Sequence, residues 1–235
     1  MSTTLEIEVV DLAVTPLREL NQRLHDVALN GDGPRRWRIV NPRGAHAVAC
    51  GLDAELEVEI DGHVGYYCAG MNKLAAVRVR GNASTGIAEN MMSGRVVVEG
   101  SVSQSAGATA HGGLLVVHGD AAARCGISMK GVDIVVGGSV GHLSAFMAQS
   151  GCLVVCGDAG DALGDSIYEA RLYVRGAVAG LGADCIEKDL AEHHRQEVAG
   201  LLAQAGITDV DPASFRRYGS ARRLYNFHVD HAGEY

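Results

Sequence analysis

The sequence predicts a mainly β protein: a right-handed parallel β-helix of about seven 19-residue coils, flanked by N- and C-terminal helices. Three observations carry that prediction. Glycine stands at Gly62, Gly81, Gly100, Gly119, Gly138, Gly157 and Gly176, an unbroken step of 19 residues. Apolar, mostly β-branched residues recur two and four places before each of them. Glycine makes up 31 of the 235 residues and proline only 4, the balance of an ordered fold with many tight turns rather than of a linker.

Each column of the repeat has a physical reading. Val58, Val77, Val96, Leu115, Ile134, Leu153 and Leu172 stand four before the glycine, and Ile60, Val79, Val98, Val117, Val136, Val155 and Val174 stand two before it. Apolar residues at i and i+2 make a strand with one face inward. The glycine then permits a sharp turn or a positive φ, and a polar turn former usually follows: His63, Asn82, Ser101, Asp120, Ser139, Asp158, then Ala177. Two after the glycine, valine and alanine alternate from Val64 to Val178, large packing on small. Seven after comes a small residue each time, Ala69, Ala88, Gly107, Gly126, Ala145, Gly164 and Ala183, which suits a corner where layers approach closely. A 19-residue unit cannot bury its own apolar face, so the units must stack. The six-residue period of a left-handed hexapeptide coil is absent, which favours the right-handed form.

In chain order, Leu5, Ile7 and Val9 alternate as a strand. Thr15-Pro16 then reads as N-cap and first helical position, with Leu17, Leu20, Leu24 and Val27 as an apolar stripe that ends between Asn30 and Pro34. Ile39 and Cys50 fall in the strand and small columns and predict a partial coil before the first clear one. Beyond the coils, Ile186, Leu190, Val198, Leu201 and Leu202 form a helical stripe stopped by Gly206, and Asp211-Pro212 begins another short helix. The resulting segments are an N-terminal strand and helix (1–37), the β-helix (38–185) and a helical tail (186–235), the helices covering a side or an open end of the stack.

The outward column between the two inward ones reads Glu59, Arg78, Val97, Val116, Val135, Val154, Tyr173. Val97, Val116, Val135 and Val154 form a stripe that should not face water, so either a terminal helix or a partner polypeptide covers it.

Several motifs suggest chemistry and are better explained by the repeat. Gly137-Gly138-Ser139-Val140-Gly141 matches G-x-S-x-G, but Ser139 occupies the turn column. Asp158, Asp161 and Asp165 suggest a calcium-dependent lyase, yet the G-G-x-G-x-D nonapeptide is missing. His193-His194 and His228-Val229-Asp230-His231 lack the i, i+4 histidines and glutamate of a zinc helix. The six cysteines, Cys50, Cys68, Cys125, Cys152, Cys156 and Cys185, form no CxxC pair and read as free thiols. Arg216, Arg217, Arg222 and Arg223 make a small basic cluster that either meets an acidic partner or is simply solvated. No catalytic, cofactor-binding or metal-binding residue is assigned. A formal charge of −8 without a basic block disfavours nucleic acid. Ile134–Gly157 lacks charges but is too rich in glycine and polar residues for a membrane helix. The opening residues lack a signal peptide's basic flank and apolar core, which predicts a cytoplasmic location.

Gly62-His63-Val64-Gly65-Tyr66-Tyr67-Cys68-Ala69-Gly70-Met71-Asn72, with Ala88–Gly94 and Arg124–Gly131, resembles the glycine-repeat (GXGXG) domain that ends the glutamate synthase large subunit. It is most similar to the free-standing form of that domain, the β-helix subunit of N-methylglutamate synthase, over roughly 38–185. One of the subunits of formylmethanofuran dehydrogenase shares the glycine pattern. The resemblance implies a β-helix with no active site of its own, a subunit of a cytoplasmic hetero-oligomer. Its partners would be a class II glutamine-amidotransferase-like subunit and a synthase subunit that binds FMN and an iron–sulfur cluster. The reaction so implied joins glutamate and methylamine into N-methylglutamate and releases ammonia, a step of methylamine assimilation. A glutamate synthase or formylmethanofuran dehydrogenase type complex, or a free-standing β-helix lyase or acyltransferase, are the alternatives.

Overall fold

The computed structural model describes residues 7–30 and 33–223. One sheet of 11 strands forms the spine. It begins with β1 (Ile7–Asp11), followed in sequence by helix α1 (Leu17–Asn30), β2 (Arg36–Val40) and β3 (Glu57–Asp61). Then come β4 (Ala76–Val79), β5 (Arg95–Val98), β6 (Leu114–Val117), β7 (Lys130–Val136), β8 (Ser150–Val155) and β9 (Arg171–Val174). The last described elements are β10 (Cys185–Lys188), helix α2 (Glu192–Ala205), a 3-10 turn at Pro212–Ser214 and β11 (Arg216–Ser220). Strands β1 to β9 are parallel and in sequence order, which is the parallel β-helix that the repeat predicts.

Register follows the repeat where the repeat is regular. Ile60, Val79, Val98, Val117, Val136, Val155 and Val174 pair in succession, and both inward columns are buried. The alternating column makes its own line of parallel bridges from Val64↔Ala83 to Ala159↔Val178. Below Ile60 the spacing changes. Ile39 pairs with Ile60, a step of 21 residues, so it belongs to the column two before the glycine and not the one four before it. The following corner is offset as well. Ala49, buried and at φ 54, takes the place of Ala69 (φ 51), and Cys50 lies one residue beyond the small column.

The two small columns exchange the roles expected of them. Of the seven repeat glycines only Gly62 has a left-handed φ, at 133°. The others are required by close approach: a Cβ on Gly81 would lie 2.7 Å from the Gly62 carbonyl, and the five from Gly100 to Gly176 each donate an N–H to the glycine carbonyl one coil below, at 2.8–3.0 Å. Positive φ occurs instead seven residues later, at Ala69, Ala88, Gly107, Gly126, Ala145 and Gly164.

Beside the glycine ladder runs a second, polar one. Each turn residue accepts a hydrogen bond from the backbone N–H of its counterpart in the next coil: His63 from Asn82, Asn82 from Ser101, Ser101 from Asp120, Asp120 from Ser139, Ser139 from Asp158, and Asp158 from Ala177, at 2.7–3.1 Å. Every member needs a side-chain acceptor except the last, and the last is alanine. The polarity of this column is thus a satisfied backbone requirement.

The two ends are closed differently. Helix α1 begins at Leu17, one residue later than expected, because the Pro16 carbonyl accepts the first helical bonds. Its stripe of Leu20, Leu24 and Val27 joins the same buried cluster as the coils, while the Asn21 carboxamide and the His25 ring bond the backbone of Ala47, Ala49 and Cys50. The other end departs from expectation. Ile186 belongs to strand β10 and not to the C-terminal helix, and its side chain is 44% exposed. β11 inserts antiparallel between β9 and β10, and this pairing holds 185–188 extended. Helix α2 therefore starts at Glu192 and stops at Gly206, whose left-handed backbone (φ 75) caps it. Asp211 caps the 3-10 turn by accepting from the Ala213 N–H at 2.9 Å.

Candidate functional site

The valine stripe is the candidate that the structure decides. Val97, Val116, Val135 and Val154 are buried with Tyr173 beneath Val198, Leu201, Leu202 and Ala205 of α2, with Phe215 completing the cluster. Lengths agree: 14 helical residues span about 21 Å, and the four spacings from β5 to β9 span about 19 Å. As a partner interface these four valines are therefore corrected. Of the two coverings open from the sequence, the chain's own helix is the one present.

A polar strut that the sequence reading missed holds α2 down. Asp133, Cys152 and Arg171 stand in register on β7, β8 and β9, on the face that α2 covers. The Arg171 guanidinium donates twice to Glu197 of α2, at 2.9 and 2.8 Å, and once to the Cys152 sulfur at 3.2 Å. The Tyr173 hydroxyl donates to Glu197 at 2.5 Å, and the Asp133 carboxylate accepts from the Cys152 N–H at 3.1 Å. Burial would raise the Glu197 pKa, but the hydrogen bonds from Arg171 and Tyr173 outweigh it and hold the carboxyl below its ordinary value. Burial, then the neighbouring Asp133 charge, pushes the Cys152 thiol up, which removes the thiolate that a nucleophile needs. The arrangement clamps α2 to the sheet. Glu197→Ala is expected to cost about 1–2 kcal/mol and to open Cys152 and Cys156 to a thiol reagent. Unchanged labelling with native stability would exclude a clamp.

Other candidates make hydrogen bonds and ion pairs within the fold. Ser139 is held in the polar ladder by Asp120 and Asp158, and Asp165 accepts from the Ala183 N–H at 3.1 Å. The His194 ring nitrogen accepts from the Ala191 N–H at the start of α2, at 3.1 Å. His228 to His231 lie outside the described residues. Arg216 and Arg217 bond the carbonyls of Gly176 and Asp189, and Arg222 pairs with Glu169 at 2.9 Å. Burial pushes Cys68, Cys125 and Cys185 up to about 12. Among the described residues no group of three or more His, Cys, Asp and Glu side chains is placed to hold a metal ion, and no helix is long and apolar enough to cross a membrane.

Among the described residues, what stays open is the outward face of β1 to β4, beyond the end of α2. It carries Arg36, Arg38, Glu57, Glu59 and Arg78 around a shallow cleft of ≈ 270 Å³, and Arg95 at its upper border donates to the Gln204 carbonyl at 2.5 Å.

Protein GlxC of Rhizobium meliloti (strain 1021) is 61% identical over 227 residues, an alignment that covers 97% of this chain and 99% of that protein. No family model matches the chain.

Proposed function

The chain belongs to the family of protein GlxC, and from that premise we propose that it is a non-catalytic scaffold subunit of a glutamate-synthase-like, flavin-dependent complex. The complex is N-methylglutamate synthase, which converts glutamate and methylamine to N-methylglutamate and ammonia. One observation supports a scaffold role above the others: the repeat columns are consumed in packing or in backbone hydrogen bonding, and Ser139 and Asp158, which suggest chemistry in the sequence, are occupied in the polar ladder. Rungs locked in this way make a rigid surface on which other subunits can be set at fixed distance. FMN and the iron–sulfur cluster belong to the synthase partner, and ammonia or methylamine is selected there.

Expressed alone, the chain should show no flavin absorbance and no turnover. Co-expressed with the synthase and amidotransferase-like subunits, it should co-purify in a coloured complex that makes N-methylglutamate from glutamate and methylamine. Flavin bound one-to-one by the isolated chain would overturn the reading, as would full activity of the other two subunits without it.

A further inference from the structure

The half of the outward face that no described residue covers is banded. On β1 the outward residues are Ile7 and Val9, 52% and 58% exposed. On β2 they are Arg36 and Arg38, on β3 Glu57 and Glu59, and on β4 Ala76 and Arg78, each directly in register with the next strand. The order across the face is thus apolar, positive, negative, then small and positive, one strand spacing of ~4.8 Å per band.

We infer that this face docks a second copy of the chain about a two-fold axis lying between β2 and β3. A two-fold there lays the arginine band of each copy on the glutamate band of the other, twice over, because a C2 contact repeats every pairing. It also lays Ile7 and Val9 over Ala76 and the aliphatic stem of Arg78, removing two exposed β-branched side chains from water. A partner of one charge would meet one band favourably and the next unfavourably, whereas the band order complements itself. Within one chain the band charges are already in largely exposed ion pairs, Arg36–Glu57 at 2.6 Å, Arg38–Asp61 at 2.7 Å, Glu59–Arg80, and Arg78–Glu99 at 2.9 Å. Exposed pairs of this kind contribute about 0–1 kcal/mol, so sharing them across an interface sacrifices little. The face continues the one that α2 covers, so the second copy extends a surface already used for packing. The inference does not depend on the amine-transferring assignment.

Light scattering on the isolated full-length chain tests it. At about 50 mM salt the mass should be twice 24.6 kDa, and at about 1 M salt, where the Debye length is ~3 Å, it should fall to the single-chain value. The doubly reversed variants R36E/R38E and E57R/E59R should each be monomeric alone and should form a dimer when mixed. Val9→Lys, on a side chain already exposed, should weaken the dimer about tenfold with an unchanged melting temperature at about 1 M salt, where both proteins are single chains, and it serves if the reversed variants do not fold. A monomeric wild type at low salt would overturn the inference, as would a dimer insensitive to Val9→Lys or formed by a reversed variant alone. A monomer that instead binds a different subunit through this face would overturn it too.

Discussion

Val98→Asp should leave the chain without a cooperative unfolding transition, its far-ultraviolet circular dichroism already that of a disordered chain at 25 °C. Val98 lies fully buried on β5, stacked between Val79 and Val117 in the inward column. A carboxylate placed there has apolar side chains above and below it, and burying a charge without a partner costs several kcal/mol, on the order of the whole stability of a domain at about 5–15 kcal/mol. Position in the stack adds to the effect. In a solenoid each coil is stabilised by its two neighbours, so failure at a middle rung removes an interface from both sides. Val98→Ala is the control: it deletes two methyl groups without adding charge and should cost about 1–3 kcal/mol while keeping the transition. A native spectrum and a cooperative urea transition for Val98→Asp would mean that this column does not face a closed interior.

The stack was legible in the sequence because its signal is repeated. Seven glycines in step, with two apolar columns in front of them, fixed which residues face inward, and Val77, Val96 and Leu115 are buried as the pattern requires. What was not legible lies where each event happens once. The step of 21 residues between Ile39 and Ile60 is a single departure from the period, and counting by 19 puts Ile39 in the neighbouring inward column. The antiparallel insertion of β11 brings Tyr218 opposite Leu172, residues 46 apart and outside any repeat, so nothing local marked Ile186 as strand and not helix. The outward valines showed that something must cover them, but hydrophobicity alone does not distinguish a helix of the same chain from one of another chain. That distinction lay in Arg171 and Glu197, a charge pair whose members are 26 residues apart and fall on elements of different kind.

The glycine column supports a prediction that runs against backbone preference. Gly107 has φ 65, a left-handed conformation, whereas Gly119 carries no such φ, so by backbone conformation alone Gly107→Ala should be the more harmful substitution. The contacts reverse the order. A Cβ on Gly107 would lie 2.7 Å from the terminal Cδ1 of Ile134, the far end of a side chain and not backbone, and alanine already occupies the same place with a left-handed φ at Ala69, Ala88 and Ala145. A Cβ on Gly119 would lie 2.8 Å from the Gly100 carbonyl oxygen and 2.5 Å from the Ser101 hydroxyl. Relief there requires the two coils to separate, and separation stretches both the Gly119–Gly100 bond at 3.0 Å and the Asp120–Ser101 bond at 3.1 Å. Gly119→Ala should therefore cost about 3–4 kcal/mol, against about 1–2 kcal/mol for Gly107→Ala, measured by urea unfolding. Adding Ser101→Ala to Gly119→Ala removes the hydroxyl but not the backbone oxygen, so the double variant should stay well below the wild type. Equal costs for the two alanine variants would show that the glycines serve the turn after all, and that the coils have room to spare along that edge.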